Sequence, residues 1–363
     1  MVEQNWSFTA TNTVSKPTIQ PVYGREGIEI TFPEFRYMRN YLFLILVLLA
    51  QWARGQQEGM TDSLAHQKFL TLVNANREQS YITFGNGLGN LEPLLFEARL
   101  SPSYFFTSHQ KHWALMLNPE VQIRMLDKAS FPIRNPSYKV SINFFHDLKF
   151  WQHSFLQRIF YKDALAFISL KHHSNGQSGP FYIQDNVTHE NTDRINFEDG
   201  NFATNFLVFG ISSYKAKTLG KHYFSLREIK AYTEVHPPGW SIHELDNLYG
   251  YYRLFGEVGF LGPMRKLKND VTNRWLQNSS LQLRSGWIFG AMNASPGDAR
   301  KRWIIDVTYK YYPPWFDEVA FFVRFYRGQD YYNIYFAKTE LTELSCGITS
   351  NIMNFKKAVK YMK

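Results

Sequence analysis

The chain has 363 residues, within reach of one large domain, and a formal net charge of +9. Its 44% hydrophobic content excludes a disordered chain, and its scattered Lys and Arg residues form no clustered basic face of the kind that nucleic acid requires. The one cysteine, Cys346, excludes an internal disulfide and a cysteine metal cluster.

In chain order, the first strong signal is the apolar run Tyr41 to Ala50. Ten residues are too few to cross a bilayer as a helix. Read from Met38, with Arg39 ahead of the run and Ala53 and Gly55 behind it, the segment has the layout of a secretory signal. The expected organisation is an upstream extension over residues 1–37, a signal peptide over 38–56 and one domain over 57–363. The alternative is a buried core helix, which Pro33 permits.

Beyond this run no long helical stripe is visible. Short segments of period-two alternation follow, broken by Gly, Asn, Pro and Asp, the pattern of a membrane barrel. From Trp303, one face reads Trp303, Ile305, Val307, Tyr309, Tyr311 and the other Ile304, Asp306, Thr308, Lys310. Between Val319 and Tyr326 both faces are largely apolar, with Arg324 the exception. Leu281, Leu283, Trp287 and Phe289 share a face, while Gln282 and Arg284 take the other. Aromatic residues make up 17% of the chain, in keeping with the girdles of membrane barrels, although sugar-binding proteins share such richness. The predicted fold class is all-β, an antiparallel transmembrane β-barrel.

The chemistry-bearing segment spans residues 164–180. As a strand, one face carries Ala164, Ala166, Ile168, Leu170, His172 and Ser174, and the other Leu165, Phe167, Ser169, Lys171 and His173. In a barrel the apolar row faces lipid, so His172 and Ser174 sit on the lipid side, where polar groups are costly unless they serve a purpose. A serine hydroxyl needs a base, imidazole is the usual one, and a third group must hold its tautomer. Gly176 frees backbone N–H groups for a developing oxyanion. His173 points inward by parity and is read as lumen-lining. A His-x-Ser pair alone is weak, because most such pairs are ordinary surface residues.

His172-His173-Ser174-Asn175-Gly176-Gln177-Ser178 resembles the H-x-S-N-G-x-S motif of the outer-membrane phospholipase A family. Gln110-Lys111-His112-Trp113 is similar to its Q-K-x-W strand. Ser130 to Tyr138 resembles its S-x-P-x-R-x-x-x-Y segment, and Tyr326-Arg327-Gly328 with Tyr331 to Tyr335 looks like its late Y-x-G strand pair. The resemblance covers about residues 90–355. It implies a twelve-stranded barrel in the outer membrane of a Gram-negative-type bacterium. It also implies hydrolysis of phospholipid and lysophospholipid acyl esters, a calcium requirement and an active homodimer. By motif, Ser174 is the nucleophile, His172 the base and Gly176 part of the oxyanion hole. Calcium (Ca2+) falls to Ser130 of one subunit and to the loop of the other that starts at Gln177 and includes Tyr182.

Two departures stand out. Gly179 occupies the position of a family aspartate, which removes one calcium ligand unless Asp185, Glu190, Asp193, Glu198 or Asp199 replaces it; a solvated acidic loop is the plainer reading. The loop Gly179–Gly200 is also long, so Asn201 and Asn205 both qualify as the third catalytic residue. Matching strand lengths from the turns near Lys162 and Leu219 favours Asn205, with Asn201 the alternative. The competing readings are a catalytically silent barrel acting as a pore or structural protein, favoured by Gly179, and a soluble carbohydrate-binding protein, which leaves the motif order unexplained.

Overall fold

Strands that alternate polar and apolar residues have one face to hide, and any open sheet of them leaves two unpaired edges; closure removes both edges. The computed structural model describes residues 63–350, apart from 86–87, 108–112, 149–158, 186, 189, 220–222, 293–297, 317 and 338–339. The expected upstream extension and signal peptide, and Gln110 to His112, therefore lie outside the described residues.

The strands are β1 Tyr81–Thr83, β2 Leu88–Gly89, β3 Leu94–Leu100, β4 Tyr104–Thr107, β5 Trp113–Leu126, β6 Ser137–Asp147, β7 Asp163–Ser174 and β8 Tyr182–Gln184. They continue with β9 Asn191–Ile195, β10 Ala203–Leu219, β11 Tyr223–Val235, β12 Tyr252–Leu261, β13 Ser279–Phe289, β14 Trp303–Tyr311, β15 Val319–Gln329 and β16 Glu340–Ser350. All but β2, β4, β8 and β9 form an antiparallel ring of 12 strands, closed by β1 against β16 with Ile82 opposite Ile348. Short β2 adds to β16 and β4 to β5, while β8 and β9 form a separate hairpin.

The predicted alternation decides which face is which. Phe321, Val323 and Phe325 of β15 are exposed on the outside, while Ala320, Phe322 and Tyr326 are buried within. On β14, Trp303 is exposed and Ile304 buried, with Asp306, Thr308 and Lys310 lining the lumen beside Gln282 and Arg284 of β13. The lumen charges pair: Asp306 lies 2.9 Å from both Arg284 and Arg324. An apolar exterior around a polar interior is what a bilayer demands of strands, because closure satisfies every backbone group internally. Among the described residues no helix is long and apolar enough to cross a membrane.

Arg124 is the most enclosed of these charges. It is 1% exposed, meets Glu97 at 2.7 Å, and holds both carboxylate oxygens of Asp330 at 2.9 and 3.0 Å. Removing one member of a buried set strands the others, at about 3–5 kcal/mol. Arg124→Met is therefore expected to lower the unfolding midpoint in urea sharply; an unchanged midpoint would show that the set contributes nothing.

Two features differ from the sequence expectation. Helix α1 (Ser63–Ala75) precedes the barrel, although no long stripe predicts it. Among its described side chains, Phe69, Leu72 and Val73 are buried and Leu70 and Ala75 pack beside them, a stripe of only two to three turns. They pack with Tyr214, Phe224 and Leu226, Lys68 pairs with Asp163 at 2.8 Å, and the following Asn76 donates to the Tyr214 hydroxyl at 2.6 Å. The helix thus sits at the end of the barrel away from His172. In addition, Tyr331 to Tyr335 forms no strand after β15: Asn333–Ala337 is a 3-10 turn.

Candidate active site

β7 carries Phe167, Ser169 and His173 into the interior and leaves His172 exposed and Ser174 half-buried on the outer wall. Register fixes their neighbours. His172 lies between Val140 of β6 and Asn205 of β10, and Ser174 between Tyr138 and Ala203. The strand pairing brings His172 Nδ1 to 2.8 Å from Asn205 Oδ1. An amide oxygen only accepts, so Nδ1 carries the ring proton and Nε2 keeps its lone pair. Among the described residues no hydrogen bond joins Ser174 to His172; catalytic contacts of this kind tighten when substrate binds.

Asn201 is placed elsewhere. Its backbone N–H donates to Gly179 O at 2.9 Å, before β10 begins. The structure thus brings Asn205, not Asn201, to the imidazole. His173 faces the lumen, with Nε2 2.7 Å from Ser137 Oγ and its ring edge-on to Phe202.

Gly176 has φ +67°, the left-handed region that glycine enters without cost. Its N–H has no acceptor among the described residues, so it is free to serve a developing negative charge two residues from Ser174. Asn175 holds the site's backbone together in a way the sequence does not disclose. It is buried, its Nδ2 donates to Gly200 O at 2.8 Å, and its Oδ1 accepts from Phe202 N–H at 3.1 Å and Gln177 N–H at 3.2 Å. The bond to the N–H two residues on is an Asx turn, for which Asn-Gly is the sequence signal. One side chain therefore clamps the Ser174–Gly176 corner to the start of β10.

The long loop closes on itself. Gly179 and Gly200 pair in a parallel bridge, with Gly179 N–H donating to Asp199 O at 3.1 Å. The β8–β9 hairpin hangs outside this base and packs Phe181 and Ile195 against Phe202, Leu245, Tyr249 and Ile334. The insertion thus adds 20-odd residues without disturbing the His172–Asn205 register. It also accounts for Gly179 physically: a Cβ there would lie 2.5 Å from Asp199 O and 3.0 Å from Asp199 Oδ2.

The residues assigned to calcium are dispersed in kind. Ser130 is exposed in the β5–β6 turn with φ +66°. Gln177 is half-buried beside the Asn175 clamp, and Tyr182 packs its ring edge-on against Phe181 in the hairpin cluster. Among the described residues no group of three or more His, Cys, Asp or Glu is arranged to hold a metal. Asp199 contributes one carboxylate next to Gly179, with Oδ1 engaged by Asn196 Nδ2 at 2.5 Å and Oδ2 directed towards Gly179.

The closed ring and apolar exterior define a membrane-type β-barrel, with a His–Asn pair and a serine on its outer wall. Neither a protein-family model nor a curated protein sequence matches the chain. Among solved structures it is similar to outer membrane phospholipase A from Escherichia coli, at 13% identity and TM-score 0.47, over 76% of this chain and 91% of that one. It is likewise similar to an active-site mutant of that enzyme (12% identity, TM-score 0.48, 79% of this chain and 99% of that one). A third similar structure is the Salmonella typhi outer membrane phospholipase dimer with bound calcium, at 14% identity, TM-score 0.46, and 76% and 91% coverage.

Proposed function

We propose that the protein hydrolyses the acyl esters of phospholipids and lysophospholipids in the outer membrane, as a serine hydrolase of the Ser174–His172–Asn205 type. The observation that carries the reading is the 2.8 Å His172–Asn205 hydrogen bond on the outer wall, two residues from Ser174 on the same face. A hydrogen-bonded imidazole facing lipid has no structural task there, whereas an ester bond at the edge of the apolar layer is within its reach.

In this scheme Ser174 Oγ attacks the ester carbonyl while His172 Nε2 takes its proton. Asn205 keeps the other ring nitrogen protonated. The Gly176 N–H stabilises the oxygen of the tetrahedral intermediate. Collapse releases the lysophospholipid, its oxygen protonated by His172. Water then attacks the acyl-enzyme as His172 Nε2 accepts its proton, and on collapse His172 returns that proton to Ser174 Oγ as the fatty acid departs. Asn205 is neutral, so its contribution is orientation rather than charge.

Calcium and a homodimer belong to the same proposal. The oxygen donors of Gln177 and Asp199 are the hard type that calcium prefers, and Asp199 takes the place of the carboxylate that Gly179 lacks. Ser130 of a second copy would complete the set, and Tyr182 would border it. When bound, calcium supplies positive charge beside the developing oxyanion. The exposed Ile142, Val140 and Phe209 beside the site are the apolar surface a second barrel would cover.

The test is fatty-acid release from phospholipid micelles by the chain folded in detergent, with calcium and with a chelator. Release is expected with calcium and a drop of about tenfold or more without it. Asp199→Asn is expected to raise the calcium concentration for half-maximal rate about tenfold. No release from folded protein under any condition would leave a silent barrel.

A further inference from the structure

The third catalytic residue is itself held by something. The Asn205 Oδ1 accepts from His172 on the neighbouring strand, and both its Nδ2 and its backbone N–H donate to Trp240 O, each of these two at 2.9 Å. Trp240 lies between β11 and β12, in a segment that folds back over the rim. Beyond Val235 the edge of β10 has no β11 to pair with. Residues 240–242 take its place, with Ile242 N–H donating to Ala203 O and Thr204 bridged to Ser241.

We propose that the Trp240 carbonyl is a positioning group for the reaction, setting the rotamer of the Asn205 amide and through it the tautomer of His172. A carbonyl oxygen only accepts, so it must face the NH2 end of the amide. That turns Oδ1 to the imidazole, which in turn must present Nδ1–H. The lone pair is thereby reserved for Nε2, the nitrogen a serine needs. Without Trp240 O the amide could equally turn its NH2 to His172, leaving the proton on Nε2 and no base. The inference rests on the proposed hydrolase reading for its rate effect, but the tautomer relay exists independently of substrate.

The segment is built to keep that carbonyl in place. Pro237-Pro238-Gly239-Trp240 is a tight turn closed by Trp240 N–H to Pro237 O at 3.1 Å, with Gly239 at φ +76°. Proline at the second position and a left-handed glycine at the third are what a type II turn asks for. On the lumen side, Thr204 Oγ1 is 3.3 Å from His236 Nδ1 and 2.8 Å from Ser241 Oγ, which meets the Tyr249 hydroxyl at 2.6 Å. Arg253 donates to His236 Nε2, so His236 donates through Nδ1 to Thr204. Burial, and then the Arg253 charge, hold that imidazole well below its usual range, so it stays neutral. The residue next to Asn205 is thus tied to the same loop from the opposite face of the sheet.

Gly239 offers a clean perturbation, because a Cβ there meets no atom within 4 Å. The Cβ of a substituted residue therefore adds no clash, and the cost it brings is that of the left-handed backbone. Gly239→Val, which disfavours a left-handed φ, is expected to lower kcat about tenfold at unchanged KM. Gly239→Asn, which tolerates that region, restores most of the rate. The 15N spectrum of His172 in detergent-folded protein, assigned by its absence in His172→Gln, is expected to show protonated Nδ1 in the parent chain and in Gly239→Asn, and a mixture with protonated Nε2 in Gly239→Val. An Nδ1-protonated spectrum in all three would overturn the proposal, as would a rate loss that Gly239→Asn shares. If the parent chain hydrolyses nothing, the hydrolase reading fails, while the spectra still judge the relay.

Discussion

Ser174→Ala is expected to abolish fatty-acid release, lowering kcat by about 10⁴- to 10⁶-fold, the cost of removing a serine nucleophile in a triad. The fold should not notice. Ser174 ends β7 half-buried on the outer wall, and loss of one hydroxyl there opens no cavity. His172→Ala should cost a similar factor, and the double variant little more, because the two act as a unit. The check is initial rate on micellar phospholipid beside an unfolding curve in urea. A rate loss without a stability loss is the expected signature. Equal activity of Ser174→Ala and the parent would remove Ser174 from the chemistry.

Asn205→Ala is expected to lower kcat by about 10²-fold with little change in KM, since a misdirected imidazole loses alignment rather than substrate affinity. Asn201→Ala is expected to stay within a few-fold of the parent. Among the described residues its hydrogen bond is the one from its backbone N–H to Gly179 O, and alanine preserves that bond. The contrast is sharp because the two asparagines are four residues apart and share strand parity. A larger loss at Asn201 than at Asn205 would mean that the register of β10 on β7 differs from the observed pairing of Asn205 with His172.

The barrel was legible because strand physics leaves a written trace. The Trp303–Tyr311 alternation sends Asp306 and Lys310 inward and Trp303 outward, as observed. In β7 the apolar row ends in His172 and Ser174, two polar residues on the outer face; this anomaly marked the candidate site, and the motif resemblance gave it its proposed roles. Strand length pointed to Asn205, the residue that register sets opposite His172. What was not legible depends on contacts far apart in sequence. Gly179 looked like a missing ligand, and only the approach of the Asp199 carbonyl explains it as a closure point. The Trp240 carbonyl belongs to the backbone and is 35 residues from Asn205, so no residue type announces it. Helix α1 is a single element of 13 residues, and its short apolar stripe was passed over beside the many alternating segments that follow it.

Ser174 is the proposed nucleophile, activated on the outer wall. The most direct measurement is mass spectrometry of the detergent-folded chain after exposure to a sulfonyl fluoride with a long alkyl tail. Stoichiometric sulfonylation is predicted at Ser174 alone, strongly slowed in His172→Ala and absent in Ser174→Ala. An unmodified Ser174 in folded protein, or equal labelling in His172→Ala, would contradict it.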